Sequence, residues 1–151
     1  MKQIHVECLP DEMLVSKLGF SRKLITHHQG RSRIFNALSK VSNQLAMVDE
    51  DPDSGRSDYE KALQLIEKTE FIRHYVDKNN NTVVVLKGKL EDYIINVCRK
   101  YQINMEKFGL PDDAKNLHDV INERLQKFRK LTDNLIKQNN PEISQLKRLL
   151  R

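Results

Sequence analysis

Tryptophan is absent from this 151-residue chain, and cysteine, proline and glycine are scarce, at two, four and five. With only 6% aromatic residues, the core must be built mainly from aliphatic side chains. Cys8 and Cys98 are isolated and lack metal-type spacing, so they read as reduced cytosolic thiols and not as a disulfide framework. There is no internal repeat and no low-complexity tract. No window approaches the roughly 18 apolar residues of a membrane-spanning helix. The N-terminus reaches Glu7 before any long apolar stretch, so no signal peptide is expected. A cytoplasmic protein without a membrane partner is the expectation.

What the chain does have is charge: 31% charged residues and a formal net charge of +5. That balance permits an anionic partner without requiring one. The 38% of apolar residues suffices for one core. KQIHVEC (2–8) reads as a first strand, followed by a helix over 11–18 that stops at Gly19. LITHH (24–28) is a second strand, and a helix over about 31–42 carries Ile34, Phe35, Leu38 and Val41 on one face. LAMV (45–48) is a third, wholly apolar strand. The capping box Ser57-Asp58-Tyr59-Glu60 opens a helix to about Lys68. FIRHYV (71–76) and TVVVL (82–86) form a hairpin around Asp77–Asn81, and Leu90–Tyr101 is helical. Strands alternating with helices predict a mostly parallel α/β sheet with helices on both faces. From Pro111 the pattern becomes a tail of two helices, bearing Leu117, Ile121, Leu125, Phe128, Leu131 and Leu135, then Ile143, Leu146 and Leu150. The expected division is 1–110 and 111–151. The tail's apolar stripe reads as intramolecular cover, or alternatively as a surface for a homodimer or a larger protein partner.

Ligands of open α/β sheets bind beyond the carboxyl ends of the strands. Glu7 ends the first strand, His27, His28 and Gly30 the second, Asp49 the third with Asp51 close behind, and Lys87 the last, with Glu91 opening the next helix. Carboxylates crowded on one rim raise one another's pKa or splay apart unless a cation joins them. A hard divalent ion with oxygen ligands, Mg²⁺ or Mn²⁺, would do so, and two such ions suit in-line phosphodiester chemistry. The competing reading of residues 49–55 is a solvated acidic turn. The stretch 21–40 contains Arg22, Lys23, Arg31 and Arg33 and no acid, with Gly30-Arg31 at a helix N-terminus. It is a candidate phosphate-backbone surface or a solubilising face. His27 and His28 point to opposite faces of a strand, so at most one is functional. His5, His74 and His118 read as structural or exposed, and Cys8 as a small core residue.

VECLPDEMLVSKLG followed by LAMVDED resembles the Toprim domain found in type IA topoisomerases, bacterial primases and OLD-family nucleases. Glu7 matches the family's glutamate ending the first strand, Asp11 the acid often found four residues on, and Asp49 and Asp51 its Asp-x-Asp pair. Gly30 and Arg31 match a glycine-turn position, and GKLEDYI (88–94) is similar to the OLD-type segment that supplies a further glutamate, here Glu91. Cys8 stands where the family usually has glycine, and Ser54 occupies the glycine position after the acidic pair, with Gly55 one later. The resemblance covers roughly residues 2–100 and implies a Toprim-like, Rossmann-like fold. It implies Mg²⁺ on Asp49 and Asp51, with Glu7 as acid/base or second-metal ligand. Glu91 would complete a second site, and Lys87 or Lys89 would stabilise charge on phosphate. The expected function is a metal-dependent nuclease acting on DNA or RNA. The alternative is a non-catalytic Toprim-like regulatory subunit that keeps the acidic rim. A receiver-type phosphoacceptor is disfavoured, because receivers carry their acidic pair after strand one.

Overall fold

Alternation along two apolar strands sets the architecture. In the computed structural model, which describes residues 2–52 and 55–151, the strand Leu45–Asp49 places Leu45 and Met47 in one apolar cluster and Ala46 and Val48 in another. Successive side chains of a strand point to opposite faces, so this strand separates two layers of helix. The strands are β1 (Ile4–Val6), β2 (Ile25–His27), β3 (Leu45–Asp49), β4 (Gln64–Lys68), β5 (Ile72–Val76) and β6 (Thr82–Leu86). The α-helices are α1 (Leu9–Lys17), α2 (Arg31–Leu38), α3 (Asp58–Lys61), α4 (Leu90–Lys100), α5 (Ala114–Val120), α6 (Leu125–Lys137) and α7 (Pro141–Leu149).

All six strands form one sheet in the order β2-β1-β3-β6-β5-β4. β2, β1, β3 and β6 run parallel, while β5 pairs antiparallel with β6 and β4 antiparallel with β5. The expected hairpin is present, with Ile72 opposite Leu86 and Val76 opposite Thr82. The expected mostly parallel α/β sheet with helices on both faces is therefore the observed fold. On one face Ile4, Val6, Leu45, Met47, Val84 and Leu86 pack with α1, α4 and the C-terminal helices. On the other, Ala46, Val48 and Val83 meet Ile34, Phe35 and Leu38 of α2.

Two expectations change. The helix predicted to reach Lys68 ends at Lys61, and Gln64–Lys68 is the edge strand β4. Ser57 does cap that helix, accepting from the Glu60 amide at 3.2 Å. Beyond it, however, Leu65 lies opposite Tyr75 and Glu67 opposite His74. Arg148 of α7 also grips both oxygens of Glu67, at 2.9 and 3.0 Å. Pairing with β5 thus overrides a short run of helix propensity. The tail contains three α-helices where two were expected, because a 3₁₀ turn at Ile121–Arg124 separates α5 from α6. Its apolar stripe is buried within the chain. Leu117, Ile121, Phe128, Leu131, Leu135, Ile143, Leu146 and Leu150 belong to the same cluster as the sheet residues.

The turn before β6 is held by a buried amide. Asn81 is fully buried; its Nδ2 donates to the carbonyls of Leu38 and Val41 and to Asp77 Oδ2, and its Oδ1 accepts from the Gln44 amide. It thereby ties the end of α2 to the start of β3 and to the hairpin. Asn81→Ala would leave these buried groups unpaired and should destabilise the protein by about 2–4 kcal/mol. Denaturant unfolding measures this, and a loss below about 1 kcal/mol would show that the network is replaceable.

Candidate functional site

β1, β3 and β6 are adjacent in the sheet, so the segments leaving their carboxyl ends are brought into one row. Glu7 comes directly after β1, and only Glu7 and Cys8 separate β1 from α1, so Asp11 falls in that helix's first turn. Asp49 is the last residue of β3. After β6, Gly88 turns the chain with φ 71°, and a Cβ there would sit 2.8 Å from Asp92 Oδ2. Asp92 accepts from the Lys89 amide at 2.9 Å and caps α4, whose first turn holds Glu91. Glu7, Asp49, Asp51 and Lys89 line a cleft of about 500 Å³.

Burial is the dominant electrostatic fact. Asp11 is 1% exposed and Glu91 6%. The pKa values of Glu7, Asp11 and Asp49 are all raised, in each case chiefly by desolvation. Mutual repulsion adds to this, with Asp11, Glu7 and Glu91 each pushing Asp49 higher. The Arg31 guanidinium pulls Glu7 back, and Asp51 opposes it. The Cys8 thiol and the Glu7 main chain lower Asp11 somewhat, though neither reaches hydrogen-bond geometry with its oxygens. Glu7 Oε1, both Asp11 oxygens and Asp49 Oδ1 are buried without a hydrogen-bond partner.

Arg31 is committed locally. It donates to the Asp49 carbonyl at 2.9 Å, meets Glu60 at 3.5 Å and lies over the Phe35 ring at 5.4 Å. Gly30 precedes it with φ 107°, a conformation that favours glycine. Arg33 is exposed on α2. Arg22 and Lys23 are exposed too, but they precede β2 and so stand at the amino ends of the parallel strands, away from the carboxylates. Lys87 lines a separate groove with Lys68, Glu70 and Arg73, so Lys89 is the lysine of the carboxylate cleft. Asp51 is exposed at the mouth of that cleft. Asp53 and Ser54, part of the acidic run and of the shifted glycine position, lie outside the described residues.

Three residues gain roles. Asp11, matched only through the family resemblance, is the most deeply buried acid of the row. His118, read as structural or exposed, donates from Nδ1 to Glu91 Oε1 at 3.1 Å, so the C-terminal helices reach the site. Its signal in the sequence was nil, because a contact 27 residues away depends on how α5 docks. His27 bonds the Glu7 carbonyl at 2.8 Å and pairs with Glu12 at 3.7 Å, holding the β1–α1 turn. His28 instead bonds His5, at 2.8 Å. Burial and Asp11 hold the Cys8 thiol far above its ordinary pKa, which leaves it a poor nucleophile.

Compared with known proteins, the chain matches no family model, no curated protein and no solved structure. Among the described residues, no helix is long and apolar enough to cross a membrane.

The raised carboxylates give stability a definite sign with pH. Their folded pKa values exceed the ordinary 3.8 of aspartate, so above that value the native state holds more protons than the unfolded chain. Their contribution to stability is then fully present below the ordinary value and is lost as pH rises through the folded values. In EDTA, wild-type Tm should drop by at least about 5 °C between pH 5 and pH 8. Asp49→Asn should flatten that fall. Scanning calorimetry across the range checks it, and an equal slope in the variant would remove Asp49 as a source.

Proposed function

We propose that this chain is a divalent-cation-dependent protein that processes nucleic-acid phosphodiesters, in its simplest form a small Toprim-like nuclease. One observation supports this most: a row of buried and half-buried carboxylates beyond the strand ends, with four buried oxygens lacking a hydrogen-bond partner. Buried polar atoms are nearly always satisfied, and like charges out of water are costly. A hard cation answers both conditions, and the donors are all oxygens, as Mg²⁺ and Mn²⁺ prefer. Among the described residues, no three His, Cys, Asp or Glu side chains are gathered to hold an ion by themselves. Mg²⁺ does not require three; one or two carboxylates suffice when water and substrate phosphate complete the shell.

Asp49 would hold the ion, with Asp51 at the cleft mouth and Glu91 behind. Once bound, it would polarise a phosphoryl oxygen and neutralise developing charge. The protein's own groups divide the remaining work. Glu7, whose pKa burial raises, stands at the end of β1 on the cleft wall and is the candidate proton-transfer group. Lys89 offers an ammonium to the leaving or attacking oxygen. His118 fixes Glu91. Arg31, held by the Asp49 carbonyl, braces the end of β3.

The test is cleavage of single-stranded, duplex and supercoiled DNA and of RNA with Mg²⁺ or Mn²⁺. Wild type should cut at least one. Glu7→Gln should lose ~10²–10⁴-fold in rate while substrate affinity stays near wild type. Equal cleavage by Glu7→Gln would remove Glu7 from the chemistry. If wild type binds metal yet cuts nothing, the non-catalytic regulatory reading replaces the nuclease.

A further inference from the structure

A second cleft, of about 410 Å³, opens beside the carboxylates between α2, α3 and β5. Arg56, Arg73, Tyr75 and Leu63 line it, and it shares Arg31, Glu50, Asp51 and Pro52 with the acidic cleft. Anything lying along it is therefore led to the carboxylates. Arg73 and Tyr75 are two apart on β5, so a cation and an aromatic ring stand together on one face of the strand. Tyr75 is half-buried against the apolar cluster of Ile34, Phe35, Leu38, Ala46, Val48 and Val83, which restrains its ring.

We propose that this cleft takes a single-stranded segment of nucleic acid, with Arg56 and Arg73 on its phosphates and Tyr75 against a base. The proposal rests on the nucleic-acid reading above and gives it a substrate form and a path. The arginines are held loosely enough to exchange partners. Arg73 is 43% exposed and only 3.7 Å from Glu50, and exposed Arg56 meets the Glu60 carbonyl at 3.5 Å. A phosphate offers each a shorter, bidentate contact. Glu50, Asp51 and Glu60 also line the cleft, so this is not a plain basic patch that would hold any anion. A single strand is favoured over a duplex because only an unpaired base can be splayed onto an aromatic ring at the foot of a cleft. The basic positions Arg22 and Lys23 lie at the far edge of the sheet and do not continue this path.

The test is fluorescence anisotropy with a labelled oligo(dT) of about twelve nucleotides and a duplex of the same length, in EDTA and low salt. Omitting metal separates this proposal from the cation site, which a metal titration judges alone. Wild type should bind the oligo(dT) more tightly than the duplex. Arg56→Ala with Arg73→Ala should weaken it at least about tenfold and lower the salt slope. Arg129→Ala with Lys130→Ala, which removes the same charge from the exposed side of α6, should change it less than about twofold. Tyr75→Leu should weaken binding at least about fivefold with the salt slope unchanged, and Tyr75→Phe should bind as wild type. Thermal unfolding confirms that each variant is folded. Equal losses in the two double variants would overturn the proposal, as would equal affinity for duplex, or no binding by wild type.

Discussion

The structure turns on a conflict between burial and charge. Chain connectivity brings Glu7, Asp11, Asp49 and Glu91 together beyond β1, β3 and β6, and packing on the sheet buries Asp11 and Glu91 and half-buries Glu7 and Asp49. Each effect alone is ordinary. Together they leave carboxyl groups that hold protons unusually well and offer oxygens with no partner inside the chain. Arg31 does not resolve this, because its guanidinium is turned to the Asp49 carbonyl and to Glu60. A chain selected only for stability would have replaced Asp11 with an apolar residue at little loss.

Everything around the row serves to keep it in place. β3 is buried on both faces, so Asp49 projects from a rigid element. Gly88 and the Asp92 cap fix where α4 begins, and with it Glu91. The C-terminal helices belong to this support as much as to the core. Lys100 bridges Glu70 before β5 and Glu142 of α7, at 2.9 and 3.0 Å, while α5 brings His118 to Glu91. The thinner face, covered by α2 and α3, carries the arginine-lined cleft.

The parallel strands and their terminal acids were legible because apolar runs alternating with helices imply a parallel sheet, and the residues at the strand ends follow from that. Glu7 and Asp49 come from that rule directly. Asp11 needed the helix register, since its burial depends on α1 starting two residues after β1. β4 was not legible: QLIEK has no decisive periodicity, and Tyr75, His74 and Arg148 settle its conformation from elsewhere in the chain. Lys87 and Lys89 differ by two residues across the turn at Gly88, and the turn sends them into separate clefts. The basic stretch 21–40 looked continuous in sequence, yet β2 separates Arg22 and Lys23, at the amino ends of the parallel strands, from Arg31 and Arg33 beyond their carboxyl ends.

The central claim is that a divalent cation joins these carboxylates. Calorimetric titration of Mn²⁺ into the metal-free protein near pH 6.5 tests it most directly, repeated in buffers of different ionisation enthalpy. The account predicts saturable binding with release of roughly one proton or more per ion, because the acids must give up protons to act as ligands. It also predicts at least about a tenfold weaker affinity in a folded Asp49→Asn variant. No binding by wild type, or equal affinity and equal proton release in the variant, would contradict it.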